Sequence, residues 1–391
     1  MLQIFVNVVN AKLLLVTPTI NSPPSVLRLF PNGRFHLRTA SKVYSPDIIP
    51  DKSKVRLRVI WLPIAMPPSK LKPSEIAAEA KKKFIPYILA TMNDKWPATS
   101  YLCYSESIEA QPPKGNAQIC RFAFYEMDPI DLALDWAEPG DAPIPVIMPA
   151  NDKRPGGDWE AGVMSPEECL CRRSNLIATL TTPGEGSCVP SNYPMPSSTG
   201  IYSGNVVVFR DGPEKYTPWP EYKSLPIISV CPVKRPKLNP EKTKYSFKDE
   251  RELMRDKIRT ALRIAVYYKH INLVIGTFGL GPGFCNPTEE VALMWRDAFL
   301  KDPEFMGHFR DVVFAFEAPE GPGTPTSSSS KGSSSKSSSK STSKSSSKSS
   351  SSSSKRTDLD VFRHVFKPAN VHNAFKTPMA NSYEPSSSEV Y

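Results

Sequence analysis

The 391-residue chain has no uninterrupted apolar run approaching the ~20 residues that a membrane-spanning helix needs. Its best candidate, Ile4 to Ile20, is broken by Asn7, Asn10, Lys12 and Pro18, so no span is expected and the chain reads as soluble. No Cys-x-x-Cys pair occurs among its seven cysteines, Cys103, Cys120, Cys169, Cys171, Cys188, Cys231 and Cys285. An odd number without that spacing argues against a zinc site and a disulfide framework, and fits a reducing compartment. Cys169 and Cys171 lie two apart on an expected helix, so they point to different sides and cannot chelate one ion together.

Acidic residues are absent before Asp47, where Lys12, Arg28, Arg34, Arg38 and Lys42 occur. That charge bias is similar to a mitochondrial presequence, but Pro18, Pro23, Pro24 and Pro31 break the amphipathic helix such a signal requires. A disordered or loosely attached leader over 1–50 is the preferred reading, with targeting second. Acids are absent again from a Ser-rich tract near the other end. There Lys331, Lys336, Lys340, Lys344, Lys348, Lys355 and Arg356 supply +7 of the formal charge of +10, leaving +3 for everything else. The folded part is nearly neutral, so no nucleic-acid binding by it is expected.

What is present points to a folded α/β protein. Hydrophobic residues make up 40% of the chain, enough for a sizeable core, and 41 prolines imply many loops. The patterning predicts strands at Lys54–Ala65, Ile119–Tyr125, Ile144–Met148, Val206–Phe209, Ile227–Cys231, Leu273–Gly276 and Val312–Phe316. Helices are predicted at Ser74–Met92, Pro129–Ala137, Pro166–Leu180, Phe247–Lys269 and Pro287–Leu300. In the first of these, Ser74 is the expected N-cap, with an apolar stripe of Ile76, Ala77, Ala80, Phe84, Tyr87 and Ile88. From Ile144 onward short apolar strands alternate with helices, so the sheet should be mixed or parallel and covered on both faces. The Ser/Lys tract, 326–356, cannot offset its ordering entropy and is expected to be disordered. Leu359, Val361, Phe362, Val365 and Phe366 then form a short amphipathic helix expected to pack back on the domain. The expected organisation is a leader over 1–50, one domain over 51–325 with 357–378, an insertion over 326–356 and a disordered tail over 379–391.

Chemistry concentrates in two stretches. The first, RPGGDWEAGVMSPEECLCRRSNL, runs from Arg154 to Leu176. Ser165 as N-cap, Pro166 at N1 and Glu168 at N3 spell a capping box, which by itself accounts for Glu168 and leaves Glu167 without a task. Alternatively, the two carboxylates, about 100° apart around a helix, do two jobs on one substrate. A helix N-terminus favours the ionised carboxylate, whereas a general acid needs a pKa nearer neutrality; burial and a negative neighbour would raise it again. The second stretch, GTFGLGPGFCNP from Gly276 to Pro287, follows an expected strand and precedes an expected helix. Its glycines allow outward-facing N–H groups that suit a diphosphate. It lacks a Gly-Lys-Ser/Thr ending and a dinucleotide fingerprint in the usual place, so taken alone an ordinary strand-to-helix turn is the preferred explanation.

Together these stretches resemble the microbial-type poly(ADP-ribose) glycohydrolases, catalytic macrodomains, here a fungal-like member. The family's signature is three glycines, a spacer and Gln-Glu-Glu. In this chain Asn151 is followed by Pro155, Gly156 and Gly157, eight residues, then Pro166, Glu167 and Glu168. The resemblance continues through CLCRRSNL (Cys169–Leu176), YSGNVVVFRD (Tyr202–Asp211), LPIISVCPVKRP (Leu225–Pro236), the glycine-rich loop and FRDVVFAF (Phe309–Phe316). Pro155 and Pro166 depart from it, replacing the first glycine and the glutamine.

The resemblance implies a three-layer α/β/α macrodomain-like mixed sheet with an N-terminal helical extension, and hydrolysis of the ribose–ribose O-glycosidic bond of poly(ADP-ribose) or of terminal ADP-ribose units. Glu168 would be the catalytic acid and Glu167 would hold ribose hydroxyls. Asn151, Gly156, Gly157, Gly279, Leu280, Gly281, Gly283 and Phe284 would contact the substrate, although Phe284 by itself reads first as a core residue. No metal or cofactor is implied. The expected partners are ADP-ribose and its polymer on modified proteins, with no membrane, for a monomer in the nucleus and/or cytoplasm, a mitochondrial location being the lesser alternative. A second reading is a non-catalytic ADP-ribose-binding macrodomain. The Ser/Lys tract reads first as a flexible linker, and second as an electrostatic lure for the polyanion.

Overall fold

The computed structural model describes residues 71–109, 120–138, 140–317 and 356–371, together with two short strands near the start. The expected strand Lys54–Ala65, the Ser/Lys tract and the tail lie outside the described residues. The chain divides into two units, Met1–Pro67 and Pro68–Tyr391. In the first, β1 (Arg28–Leu29) and β2 (Phe35–His36) pair antiparallel, with Arg28 opposite His36.

The second unit is built on one sheet of seven strands: β3 (Tyr101–Tyr104), β4 (Arg121–Glu126), β5 (Val146–Pro149), β6 (Thr199–Arg210), β7 (Pro218–Val230), β8 (Asn272–Ile275) and β9 (Asp311–Phe316). Their order is β3-β6-β7-β5-β8-β9-β4. β6 runs antiparallel to both neighbours, whereas β7, β5, β8, β9 and β4 are parallel to one another. The helices are α1 (Pro73–Glu79), α2 (Ile85–Thr91), α3 (Pro129–Trp136), α4 (Pro166–Arg173), α5 (Leu176–Thr181), α6 (Lys248–Tyr267), α7 (Gly281–Phe284), α8 (Thr288–Leu300) and α9 (Asp358–Val365).

The period-two alternation of strand side chains sorts the core into two layers. Ile147, Leu273, Ile275, Val312 and Phe314 face Met254 and Ile258 of α6, Trp295 of α8 and Phe362 of α9. Val146, Met148, Val274 and Val313 face Ala77, Ile88, Ile130, Leu170 and Leu176, one from each of α1 to α5. The central strands are apolar throughout because both faces are covered. The α/β/α mixed sheet inferred from the sequence is thus present.

Three local expectations are corrected. The first helix begins at Pro73 with Lys72, not Ser74, at its N-cap; the Lys72 N–H donates to Glu75 Oε2 at 2.9 Å. It passes through a wide turn, Ala80–Phe84, into α2. That extra residue per turn rotates the stripe, so Ile85 is buried and Tyr87 is 51% exposed. The helix expected over Pro166–Leu180 breaks at Ser174, which is extended and bridges to Val208 of β6. The side chain of Asn175 accepts the Val207 N–H at 2.7 Å while its own N–H donates to Val207 O at 3.1 Å. Ser and Asn side chains compete for backbone groups in this way, and the pairing to β6 ends the helix.

Two consequences bear on the site. Pro149 of β5 lies opposite Val230 of β7, and Ile147 lies opposite Ile275 of β8. Three adjacent parallel strands therefore release their following loops at one edge of the sheet, where ligands of open α/β sheets bind. At the far end, α9 closes the layer over β4 and β9. Phe362 packs on Phe314 at 5.1 Å and on Phe316 at 5.0 Å, and Phe366 on Phe122 at 4.8 Å. Phe362 is 2% exposed, so Phe362→Ala should cost about 3–5 kcal/mol. Urea unfolding should show a lower midpoint with an unchanged slope.

Candidate active site

The loop that follows β5 folds back on the start of α4. Both oxygens of Glu167 are engaged by loop N–H groups: Asn151 donates to Oε2 at 2.6 Å and Gly156 to Oε1 at 3.3 Å. Asn151 tightens the turn further, its side-chain oxygen accepting from the N–H of Lys153 at 2.9 Å and of Arg154 at 3.3 Å. One helical turn below Glu168, the buried guanidinium of Arg172 donates to Trp159 O at 3.0 Å and also to Val163 O. The segment between Asn151 and Ser165 is thereby held at both ends.

Ser165 does take the N-cap position, but its hydroxyl caps no backbone N–H. It donates instead to Glu168 Oε2, while Glu168 Oε1 accepts from the Asp158 N–H at 3.3 Å. The capping box expected from Ser165 and Glu168 is therefore not formed. The two side chains meet each other, and Pro166 at N1, which has no N–H to satisfy, starts the helix without them. Gly157 lies directly against this carboxylate: with φ +54°, a Cβ there would overlap Glu168 Oε1. Gly156, φ +66°, sits over Cys171, and its added Cβ would lie 2.8 Å from Sγ.

The glycine-rich loop leaves β8 at the same sheet edge. Phe278 is its core residue, set edge-on against Trp295 at 5.6 Å. Leu280 is also buried, and its N–H donates to Thr277 O at 3.1 Å; it therefore shapes the loop from beneath. Gly281 and Gly283 are exposed. Among the described residues no hydrogen bond takes the N–H of Gly279, Gly281 or Gly283. Phe284 is half-buried and belongs to neither core layer, which corrects the core reading of that residue.

A third loop, following β7, joins the other two. Lys234 Nζ pairs with Asp152 Oδ1 at 2.5 Å, and the Arg235 N–H donates to Phe284 O at 2.6 Å. Neither Lys234 nor Asp152 stood out in the sequence. Their only signal was position: each lies within a few residues of the carboxyl end of a buried parallel strand. A cavity of about 580 Å³ opens along the Arg154–Ala161 side of the first loop, bounded by Lys81, Ile85, Pro155, Gly157, Trp159 and Thr181. It includes neither Glu167 nor Glu168, nor any residue of the glycine-rich loop. Among the described residues, no group of three or more His, Cys, Asp or Glu side chains is placed to hold a metal ion. None of their helices is long and apolar enough to cross a membrane, and all seven cysteines are free thiols.

Residues 87–211 match the family model for the microbial-type PARG catalytic domain. The matched residues include the Asn151–Leu176 stretch in which the resemblance was noted. Solved PARG structures align over most of their own length. A single-residue variant of the Thermomonospora curvata enzyme is 23% identical, with 63% of this chain and 95% of that one covered and a TM-score of 0.50. The same enzyme bound to the inhibitor ADP-HPD gives 22%, 64% and 95%, and 0.49. The Deinococcus radiodurans PARG in complex with ADP-ribose gives 23%, 59% and 92%, and 0.46. The first of these supports the fold. No curated protein matches significantly.

Electrostatics distinguish Glu167. Burial pushes its pKa up to about 8, and the neighbouring Glu168 adds to the rise; the Asn151 and Gly156 N–H bonds oppose it. In the unfolded chain a glutamate ionises near 4.3. The folded form therefore binds the extra proton between those values. Its contribution to stability is complete below about pH 4.3 and is lost as pH rises to about 8. Unfolding free energies measured across this range should fall more steeply in the wild type than in Glu167→Gln, by up to about 1.4 kcal/mol per pH unit. Gly157→Ala should also destabilise the protein, by about 1–3 kcal/mol, because φ is positive and the Glu168 carboxylate must move. Thermal denaturation checks it.

Proposed function

We propose that this chain hydrolyses the ribose–ribose O-glycosidic bond of poly(ADP-ribose), or removes a terminal ADP-ribose unit from a modified protein, releasing ADP-ribose. The observation carrying this reading is the placement of Glu168. Within a segment that matches the microbial-type PARG catalytic domain, Glu168 is only 8% exposed and its carboxylate lies against Gly157.

In this scheme the terminal ADP-ribose spans the edge where the loops after β5, β7 and β8 meet. The N–H groups of Gly279, Gly281 and Gly283 face the diphosphate, and Phe284, unclaimed by the core, is free to stack on adenine. Glu168 protonates the leaving ribose oxygen. The developing oxocarbenium ion is stabilised by nearby negative charge, and the same carboxylate then deprotonates the attacking water. Ser165 orients Glu168 through its hydroxyl, and Glu167 holds the loop while its remaining lone pairs accept from ribose hydroxyls. Free thiols at all seven cysteines are compatible with a reducing compartment, which supports the proposal of a nuclear or cytoplasmic protein.

One observation favours the second reading, a binding module without turnover. Pro155 has no N–H, Gly156 donates its own to Glu167, and Gly157 donates to Arg154 O at 3.3 Å, so this loop grips a ligand less readily than three glycines would. Release of ADP-ribose from an auto-modified transferase separates the two readings. Glu168→Gln should lower the rate about 10²–10⁴-fold while ADP-ribose still binds. Binding without release by the wild type would select the second reading.

A further inference from the structure

The glycohydrolase reading leaves an electrostatic problem, and one side chain outside every assigned position addresses it. A diphosphate carries about two negative charges, and its expected seat adjoins Glu167 and Glu168. The glycine-rich loop, Gly276–Pro287, contains neither lysine nor arginine. The loop Arg154–Gly157 commits its N–H groups internally, as described above, and Arg154 pairs with Asp158. Lys257 is 6% exposed and donates to Ser197 O, so it is not free to swing toward a ligand.

Lys234 differs from these. It follows β7, the strand next to β5 at the sheet edge, and is 39% exposed, as is its partner Asp152. The loop that carries it is fixed to the glycine-rich loop by the Arg235–Phe284 backbone bond, with Arg235 in the left-handed region at φ +48°. The ammonium is therefore held against the first loop, on a segment whose next residue is bonded to the glycine-rich loop.

We propose that Lys234 is a ligand of the substrate diphosphate, and that Asp152 holds its ammonium in place until the diphosphate displaces that carboxylate. This rests on the glycohydrolase reading for the identity of the ligand. The exchange needs no backbone movement, because Asp152 is anchored separately through its carbonyl, which accepts the Met195 N–H at 2.8 Å. Asp152 competes with the ligand for one cation, so removing its charge strengthens diphosphate binding. A purely structural ion pair predicts the opposite, since either truncation would loosen the loops.

Calorimetric titration of the full chain with ADP-ribose, and in parallel with adenosine, which lacks the diphosphate, tests this. Lys234→Ala should weaken ADP-ribose binding by about tenfold and leave adenosine binding unchanged, which also reports an intact fold. Asp152→Asn should tighten ADP-ribose binding several-fold, and the double variant should match Lys234→Ala. Lys153→Ala, which removes an exposed charge from the same loop, should stay within about twofold of the wild type. ADP-ribose affinity within twofold in Lys234→Ala, or weakening in Asp152→Asn, would overturn the inference alone. A wild-type chain that binds no ADP-ribose would overturn the glycohydrolase reading as well.

Discussion

A carboxylate buried at the carboxyl edge of the sheet organises everything around it. Glu167 accepts the N–H groups of Asn151 and Gly156, two donors that would otherwise be stranded where the chain leaves β5. Satisfying both with one side chain forces the loop to close on the first turn of α4. That closure brings Gly157 against Glu168 and sets the distance between the loop and the helix. The cost is visible in the carboxyl itself, whose burial raises its pKa into the neutral range. A protonated carboxyl at this depth avoids most of the penalty of a buried charge, which outweighs the two hydrogen bonds and the charge of Lys234 that favour the ionised form.

The sheet supplies the frame for this arrangement. Parallel strands β7, β5 and β8 end together, so the three following loops must share one rim. They are tied laterally through Lys234–Asp152 and Arg235–Phe284. Buried arginines extend the frame downward. Arg173 pairs with Asp128 at 3.0 Å and with Asp131, fixing α4 to α3, and Arg210 pairs with Glu79 while donating to Arg172 O at 3.0 Å. Each is almost wholly buried and multiply bonded, the condition under which losing one partner of a buried charge is costly. The apolar layers place α4; these ionic contacts resist its rotation.

Periodicity and local composition were enough for much of this. Short, largely apolar runs marked six of the seven strands of the main sheet, because a strand covered on both faces has to be apolar along its length. The unmarked one, β3, has only Cys103 buried among its four residues. Pro166 announced the start of α4 through its fixed φ and missing N–H. Gly156, Gly157 and Gly279 take positive φ, +66°, +54° and +79°, a region glycine enters without steric cost. The residues from Asn151 to Leu176, with the later segments, carried the resemblance to the microbial-type PARG family.

Other features were decided only when distant segments met. Whether Glu168 caps the helix or meets the Ser165 hydroxyl depends on where the loop carrying Asp158 settles, and no local rule contains that loop. The break at Ser174 is imposed by β6, more than thirty residues ahead in sequence. Tyr87 lost its place in the stripe to Ile85 because a wide turn rotates the helix. Asp152 and Lys234 are 82 residues apart and were individually unremarkable as charged loop residues. By itself the sequence determined the layered sheet, the glycine turns and the pair of glutamates, since propensity and period are properties of neighbours along the chain. Tertiary structure alone decided which partner each charged group finds, because pairing depends on contacts between loops that the sequence keeps apart.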